Sequence, residues 1–197
     1  MVKIKAMKIP GKWREGYALD FHTIRSEFLG YDGFGHPMFD THRSEIGELL
    51  YKLKYQSDRS VVNTLVEIAA DFIVSWNPTL NLLVPTPPSR PRRTYQPVLE
   101  IAKSLSQRIS VPLCVDCIKK VKDTRELKNV YDYDERIQLL ENAFSINSSK
   151  LKGQNVLLFD DLYRSGATLN AITGAVYEQV EGCTIYVLAL TKTRSTS

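Results

Sequence analysis

The stretch from Asn155 to Leu169, NVLLFDDLYRSGATL, limits the choice of fold more than any other part of the sequence. It begins with four consecutive apolar residues, Val156 to Phe159, which is the pattern of a strand buried on both faces. Asp160 and Asp161 end this predicted strand, and the small turn Ser-Gly-Ala-Thr follows at residues 165–168. The amphipathic pattern after the turn predicts a helix. A buried strand followed by acids, a tight turn and a helix is typical of an α/β protein.

The turn before the predicted helix suits a phosphate group. Backbone N–H groups at the start of a helix have no partner within it, and the helix dipole adds positive potential there. The neighbouring Asp160 and Asp161 suit ribose hydroxyls or a bridging Mg²⁺. Together these features predict a site for a sugar phosphate.

Three other motifs that place phosphate or acidic groups in a similar way disagree with the residues. A Walker loop needs a lysine where Ala167 stands. A dinucleotide fingerprint needs three spaced glycines, and this turn contains only Gly166. Receiver domains carry their paired aspartates near the start of the domain, whereas only one strand-length apolar run, 184–190, follows here. The residues therefore exclude all three motifs.

The rest of the chain alternates predicted helices and strands. Ser44 is a plausible N-cap for a first helix, residues 96–109 carry the apolar stripe of another, and 111–115 predict a short strand. Residues 1–43 have no helical stripe, which favours a small antiparallel strand-and-loop subdomain. We therefore expect an α/β fold with a mostly parallel central sheet flanked by helices, with a hood over residues 1–43 and one compact core over residues 44–197.

The stretch VLLFDDLYRSGATL resembles the signature with which type I phosphoribosyltransferases bind 5-phosphoribosyl-1-pyrophosphate (PRPP). The resemblance implies the type I phosphoribosyltransferase fold. It also implies that Asp160 and Asp161 are the catalytic pair, which addresses the ribose hydroxyls directly or through Mg²⁺. The residues that it assigns to PRPP binding follow in the chain: Arg164, Ser165, Gly166, Ala167, Thr168 and Leu169. Arg164 stands where many members have threonine.

Other segments look like a narrower group, the ComF-type, competence-linked phosphoribosyltransferase-like proteins. The matching segments are Leu53-Lys54-Tyr55, the stretch 84–90, Thr94-Tyr95-Gln96, and Glu135-Arg136 ahead of Ala143-Phe144. This resemblance covers roughly residues 50–191. Those relatives commonly carry an N-terminal cysteine zinc finger, whereas this chain has no cysteine before Cys114.

The resemblance implies two further contacts with the ligand. It puts the pyrophosphate against the loop formed by Thr86, Pro87, Pro88, Ser89 and Arg90. An arginine fork and a proline-stiffened backbone suit this role, and a solvated basic turn is the alternative. The charged segment 119–134 matches the flexible loop that closes over PRPP and excludes water. Lys122 and Arg125 are its candidates for reaching the pyrophosphate, with a solvated charge run as the alternative.

Two functions stay open on the sequence alone. The first is a Mg²⁺-dependent phosphoribosyltransferase that transfers the phosphoribosyl group from PRPP to a nitrogenous acceptor and releases pyrophosphate. The second is a non-catalytic module that binds PRPP, a nucleotide or another ribose 5-phosphate ligand. This module would act through a protein or nucleic-acid partner in a DNA-uptake or defence-type pathway. The family resemblance also leaves a homodimer open, because phosphoribosyltransferases often pair.

Composition and charge limit the ligand classes and the cellular location that we expect. The net charge of +4 is compatible with a polyphosphate ligand but too small for a dedicated nucleic-acid binder. Glu67 and Asp71 interrupt the longest apolar stretch, and no secretory signal is visible, so we expect a cytoplasmic protein without a membrane span. Cys114 and Cys117 are expected to be buried thiols. Residues three apart on a strand face opposite sides, and a zinc site needs about two more ligands.

Overall fold

The computed structural model describes residues 2–88, 95–122, 140 and 142–194. The strands in these residues are β1 Met7–Lys8, β2 Glu15–Phe21, β3 Thr23–Tyr31, β4 Pro37–Arg43, β5 Leu82–Pro85, β6 Ile118–Lys120, β7 Phe144–Ile146, β8 Asn155–Tyr163 and β9 Thr184–Lys192. The helices are α1 Glu45–Tyr55, α2 Val62–Trp76, α3 Pro97–Ile109, α4 Ser148–Leu151 and α5 Ala167–Gln179, and a 3₁₀ turn at Arg59–Val61 precedes α2. None of these helices combines the length and the apolar character that a membrane crossing requires.

Five of the described strands form the central sheet, in the order β1-β2-β9-β8-β5. All neighbours in this sheet are parallel except the two-residue β1, which is antiparallel to β2. Beyond β5, Leu113 forms a single parallel bridge with Leu83, so the predicted strand over 111–115 is reduced to one paired residue. The structure thus confirms the predicted α/β fold with a mostly parallel central sheet. The parallel strands end at one common edge, where α/β proteins usually place their ligands.

Apolar side chains cover both faces of the sheet. Leu157 and Phe159 of β8 pack in the cluster formed with α1, α2 and α3, whereas Val156 and Leu158 pack in the cluster formed with α5. All four side chains are fully buried, and each contributes about 1.5–3 kcal/mol relative to an exposed one. This two-sided burial explains why the sequence of β8 begins with an unbroken apolar run.

The first 43 residues divide between the central sheet and a separate hairpin. β2 pairs in parallel with β9 over Glu15 to Phe21, although the sequence assigned the whole of residues 1–43 to a hood. The glycine, tyrosine and acidic residues of β2 interrupt its apolar pattern, so the sequence did not predict this strand. Ala18 and Leu19 in β2 are nevertheless fully buried. Of the strands in these 43 residues, only β3 and β4 stand apart as a two-stranded sheet, and β6 and β7 form a second such sheet later in the chain. The division of the chain at residue 43 stays a prediction, and the correction is that β1 and β2 are strands of the central sheet.

Helix α1 is fastened to the carboxyl edge of the sheet by its N-cap. Ser44 Oγ accepts a hydrogen bond from the Gly47 N–H at 3.0 Å and donates one to the Phe21 carbonyl, so the predicted cap is confirmed. Gly47 allows the close approach, because a Cβ there would lie 2.2 Å from the His22 carbonyl oxygen. The end of β2 and the start of α1 are therefore held against each other.

Cys114 and Cys117 form a disulfide, with their Cα atoms 5.6 Å apart. Both cysteines are buried as predicted, but the prediction of diverging thiols is wrong, because residues 115–117 form a bend before β6 and the alternation of a strand does not apply. Asp116 completes a group whose ligand atoms lie within 4.8 Å of one another, but the disulfide engages both sulfurs.

Candidate functional site

The acidic pair lies inside the last part of β8, at the carboxyl edge of the central sheet. The sequence predicted that the strand ends at Phe159, whereas β8 continues to Tyr163. Asp160 is in register with Ala189 of β9 and Tyr163 with Lys192, so β9 continues the backbone ladder past both acids. The two carboxylates are consequently held on a rigid strand rather than on a loop.

Asp160 is partly buried and faces the end of β5. Its Oδ1 accepts hydrogen bonds from the Thr86 hydroxyl at 2.9 Å and from the Asp161 N–H at 2.8 Å. Burial, and secondarily the charge of Asp161, raise the pKa of Asp160 to about 7, although the two hydrogen bonds and Lys54 act in the opposite direction. Near neutral pH this carboxyl group can therefore both accept and release a proton.

Asp161 points to the other side and forms an ion pair with a helix. Its Oδ2 lies 2.6 Å from Nζ of Lys54, which belongs to α1, and the two side chains are 11% and 22% exposed. In the sequence analysis Lys54 belongs only to the ComF-type resemblance and has no assigned role. The chain itself carried no signal for this contact, because it depends on how α1 packs on β8.

His22 and Thr191 extend the polar cluster across the sheet edge. The Thr191 hydroxyl donates to the Asp161 carbonyl at 3.1 Å and lies 3.3 Å from Nδ1 of His22. Burial, followed by the charges of Lys54 and Arg43, lowers the pKa of His22. His22 is therefore held in its neutral form near the acidic pair, a role that its position in the sequence did not reveal.

The loop after β8 turns into α5 at Gly166, which adopts a left-handed conformation with φ of +76°. A Cβ at this position would lie 2.8 Å from the ring of Tyr163. The Tyr163 ring has little freedom to move, because its hydroxyl donates to the Pro10 carbonyl at 3.2 Å and its edge contacts Trp13. Glycine is thus required by both the backbone conformation and the packing.

Residues just before β2 contact both ends of this loop, at Tyr163 and in α5. The Lys12 N–H donates to Asn170 Oδ1 of α5 at 2.8 Å, next to the Pro10 contact with Tyr163. Trp13 is 6% exposed and packs edge-on against Tyr163 at 6.4 Å. The segment that the sequence placed in a hood therefore helps to position the loop at the start of α5.

The loop and Asp160 line a cavity of about 120 Å³ that is partly open to solvent. Asp160, Leu140 and residues 162–169 line it. The six residues that the sequence assigned to PRPP binding, 164–169, are all among them. The cavity lies at the N-terminus of α5, where N–H groups and the helix dipole favour an anion.

The other predicted contacts are only partly described. Thr86 is buried and donates to Asp160, while Pro87 and Pro88 follow β5 at the same edge. Ser89, Arg90 and Arg125 lie outside the described residues, as do residues 123–134 of the predicted closing segment, whose first two residues belong to β6 rather than to a loop. Lys122 is exposed at the end of a described stretch. Contacts of these residues with pyrophosphate stay predictions.

No family model matches the chain. The chain is 24% identical over 149 residues to the competence protein ComFC of Bacillus subtilis, in a match that covers 74% of this chain and 59% of that protein. The predicted resemblance to ComF-type proteins is thus confirmed by a curated relative, of whose length the chain spans somewhat more than half.

Solved structures similar to this chain include phosphoribosyltransferases. An adenine phosphoribosyltransferase from Thermoanaerobacter pseudethanolicus is 16% identical with a TM-score of 0.47, over 84% of this chain and 94% of that one. The UMP synthase of Leishmania donovani is 16% identical with a TM-score of 0.43, over 85% of this chain and 28% of that one. Both TM-scores lie below 0.5, and we infer nothing about the site from these two structures.

Proposed function

We propose that the protein binds PRPP at the carboxyl edge of its sheet and transfers the phosphoribosyl group to a nitrogenous acceptor, with release of pyrophosphate. One observation carries this proposal: the loop at the start of α5 and the acidic side chain of Asp160 line the same cavity. A phosphate and the hydroxyls of the attached ribose require this combination of an anion site and carboxylates at one place.

The 5′-phosphate would occupy the loop. Residues 165–168 bring the first N–H groups of α5 to the cavity, and the Ser165 hydroxyl lies 3.5 Å from the Ala167 N–H. Arg164 lines the same cavity and is exposed, so its guanidinium adds a positive charge at the rim. The ligand's phosphate thereby fixes the position of the ribose relative to Asp160.

The acidic pair would address the ribose hydroxyls. Among the described residues, Asp160 Oδ1 is engaged by Thr86 and Asp161 Oδ2 by Lys54, which leaves one oxygen of each carboxylate for the ligand. Carboxylate oxygens together with substrate oxygens are the donor set that Mg²⁺ prefers, so Asp160 and Asp161 fit this ion. When bound, Mg²⁺ would neutralise charge on the leaving pyrophosphate.

No protein nucleophile is needed for this reaction. Pyrophosphate leaves from an anomeric carbon through a cation-like transition state, so positioning and charge stabilisation lower the barrier. The rigid β8 strand and the loop would position the ribose, and the Asp160 and Asp161 carboxylates would lie near the developing positive charge. The remaining partners of the pyrophosphate are the predicted residues Thr86 to Arg90, Lys122 and Arg125.

A non-catalytic module that binds PRPP or another ribose phosphate is the second candidate. The name of the curated relative, a competence protein, favours it, because that name states a pathway and no reaction. In this case the cavity at α5 would bind the ligand without turnover, and the effect would pass to a protein or nucleic-acid partner.

Calorimetric titration with PRPP, with and without Mg²⁺, tests the binding site. We expect binding in the wild type and a loss of roughly 10- to 100-fold in Asp160→Asn and Asp161→Asn, the effect of removing one charged hydrogen bond. Glu181→Gln is the matched control, because that carboxylate is 85% exposed and pairs only with Lys152 among the described residues. Equal weakening by the control would contradict the assignment of the acidic pair.

A pyrophosphate-release assay over a panel of nitrogenous acceptors separates the two candidates. Release that disappears in Asp160→Asn supports the transferase. PRPP binding without release from any acceptor supports the binding module. Absence of binding to PRPP, ribose 5-phosphate and nucleotides would refute both.

A further inference from the structure

A chain of hydrogen bonds at the carboxyl edge of the sheet determines which nitrogen of His22 carries the proton. The Asp161 carbonyl can only accept, so the Thr191 hydroxyl donates its hydrogen to that carbonyl at 3.1 Å. The oxygen of the same hydroxyl then accepts from Nδ1 of His22 at 3.3 Å, which places the ring hydrogen on Nδ1. Nε2 of the neutral ring is therefore the unprotonated nitrogen, whose lone pair can accept a hydrogen bond.

Nε2 of His22 is open to a ligand. The side chain is half-buried, and in the part of the chain that the structure describes its one hydrogen bond is made by Nδ1. The buried polar side-chain atoms without a partner in that part are the hydroxyls of Tyr95 and Thr173, so Nε2 is not enclosed by protein. Burial, followed by the charges of Lys54 and Arg43, lowers the pKa of His22 and keeps the ring neutral at pH 7.

His22 lies on the side of the proposed site where an acceptor would enter. It directly follows β2, and its N–H donates to the Lys192 carbonyl of β9 at 2.8 Å. β9 separates β2 from β8, so the backbones of β2 and β8 are about 10 Å apart. β5, which precedes the predicted pyrophosphate loop, lies on the other side of β8. An attacking nitrogen approaches the anomeric carbon from the side opposite the leaving group, which here is the side of β9 and His22.

We propose that His22 determines the acceptor class, because its Nε2 accepts a hydrogen bond from the N–H group of the attacking nitrogen. The assignment rests on the proposed transferase and deepens it: the acceptor is an amine or a ring nitrogen that carries a hydrogen. A pyridine-type nitrogen has a lone pair and no hydrogen, so it would leave Nε2 without a donor. Sites built to bind an N–H group strongly reject analogues that lack it.

The same contact gives the proton of the acceptor a destination. The lone pair of the nitrogen forms the bond to the anomeric carbon, while the C–O bond to pyrophosphate breaks and its electron pair leaves with pyrophosphate. The N–H proton passes to Nε2, and the electrons of the N–H bond stay on the nitrogen. Asp161 and Glu48 favour the imidazolium that forms, whereas Lys54 and Arg43 favour its return to the neutral ring.

Pyrophosphate release with two sets of acceptors tests the proposal. Adenine, uracil and anthranilate carry a hydrogen on the attacking nitrogen, whereas nicotinate and quinolinate do not. We expect release with a member of the first set and none with the second. His22→Asn keeps an amide N–H for Thr191 and lacks Nε2, so it should lower kcat/KM for the acceptor about 100-fold or more. The Kd for PRPP should not change in this variant.

His36→Asn is the matched control, because that ring is 77% exposed and pairs with Asp32 in the hairpin turn. Two measurements do not depend on His22→Asn. Imidazole added to His22→Ala should restore release, which a merely structural role would not produce. Nitrogen-15 NMR of the wild type at neutral pH should show the hydrogen of His22 on Nδ1. Thermal unfolding identifies a variant that is not folded.

Several results would overturn the assignment of His22. They are wild-type release in a folded His22→Asn, a loss no larger than in His36→Asn, no rescue of a folded His22→Ala by imidazole, and a hydrogen on Nε2. Release with nicotinate or quinolinate in preference to the first set, or loss of PRPP binding in His22→Asn, would also overturn it. A wild type that binds PRPP and releases no pyrophosphate refutes the transferase and this assignment together, whereas failure confined to the His22 variants refutes the assignment alone.

Discussion

Replacing Lys54 with methionine removes the cation beside Asp161 while keeping most of the side-chain volume. The two charges lie 2.6 Å apart, and their side chains are only 22% and 11% exposed. Removing one partner of a buried ion pair typically costs 3–5 kcal/mol, because the other charge stays desolvated without compensation. Since Lys54 is partly in contact with water, we expect the lower end, about 3 kcal/mol.

The size of the chain determines how far this loss of unfolding free energy lowers Tm. In a protein of about 200 residues, each kcal/mol corresponds to about 2–4 °C, so Lys54→Met should lower Tm by about 6–12 °C. Urea unfolding measures the free energy directly. Lys152→Met is the matched control, because its pair with Glu181 is 69% and 85% exposed and should contribute under about 1 kcal/mol.

A double-mutant cycle isolates the ion pair from other contacts of Lys54. Lys54→Met combined with Asp161→Asn removes both charges, so we expect it to cost about 2 kcal/mol less than the sum of the two single changes. Single effects that add to within about 0.5 kcal/mol would show that the two side chains are not coupled, and would refute the reasoning.

Three further predictions concern the loop, the acid and the cap. Gly166→Ala should destabilise the protein by about 1–3 kcal/mol in urea unfolding and weaken PRPP binding, since the Cβ meets Tyr163 in a left-handed conformation. Gly153→Ala is its control, because Gly153 has φ of +70° and nothing within 4 Å, and an equal cost in both would contradict a steric origin. The raised pKa of Asp160, about 7 against 3.8, means that the folded state binds more protons between these values. Wild-type stability should therefore fall by about 3 kcal/mol from pH 4 to pH 7 relative to Asp160→Asn, and a stability difference between the two proteins that does not vary with pH would disprove it. Ser44→Ala should cost about 1–2 kcal/mol in urea unfolding, and a smaller loss than 0.5 kcal/mol would show that the cap contributes little.

Local patterns were enough to predict the parts of the fold that depend on neighbours in the sequence. The apolar run before Asp160 predicted the buried strand, and the Ser-Gly-Ala-Thr turn predicted the loop at the start of α5. The cavity residues 164–169 followed from this order, because a strand, a turn and a helix in succession place the turn at the carboxyl edge.

Contacts between distant segments were not predictable in the same way. Lys54, His22 and Thr191 reach the acidic pair only because α1, β2 and β9 pack around β8. The sequence did not predict that β2 belongs to the central sheet, because β2 contains fewer apolar residues than a strand that is buried on both faces usually has. The disulfide was missed because the bend at 114–117 carries no glycine or proline signal.

The arrangement of the polar side chains at the carboxyl edge of the sheet lowers the stability of the free protein, which is typical of a binding site. Asp160 is partly buried beside another acid, and burial together with the charge of Asp161 raises its pKa, so its ionised form is disfavoured there. A ligand that donates ribose hydroxyls to this carboxylate would favour the ionised form, so binding and deprotonation should be coupled. PRPP should therefore stabilise the protein more at pH 7.5 than at pH 5, and Asp160→Asn should abolish the difference. Thermal unfolding with saturating PRPP at the two pH values measures it, and equal stabilisation at both would argue that Asp160 does not contact the ribose.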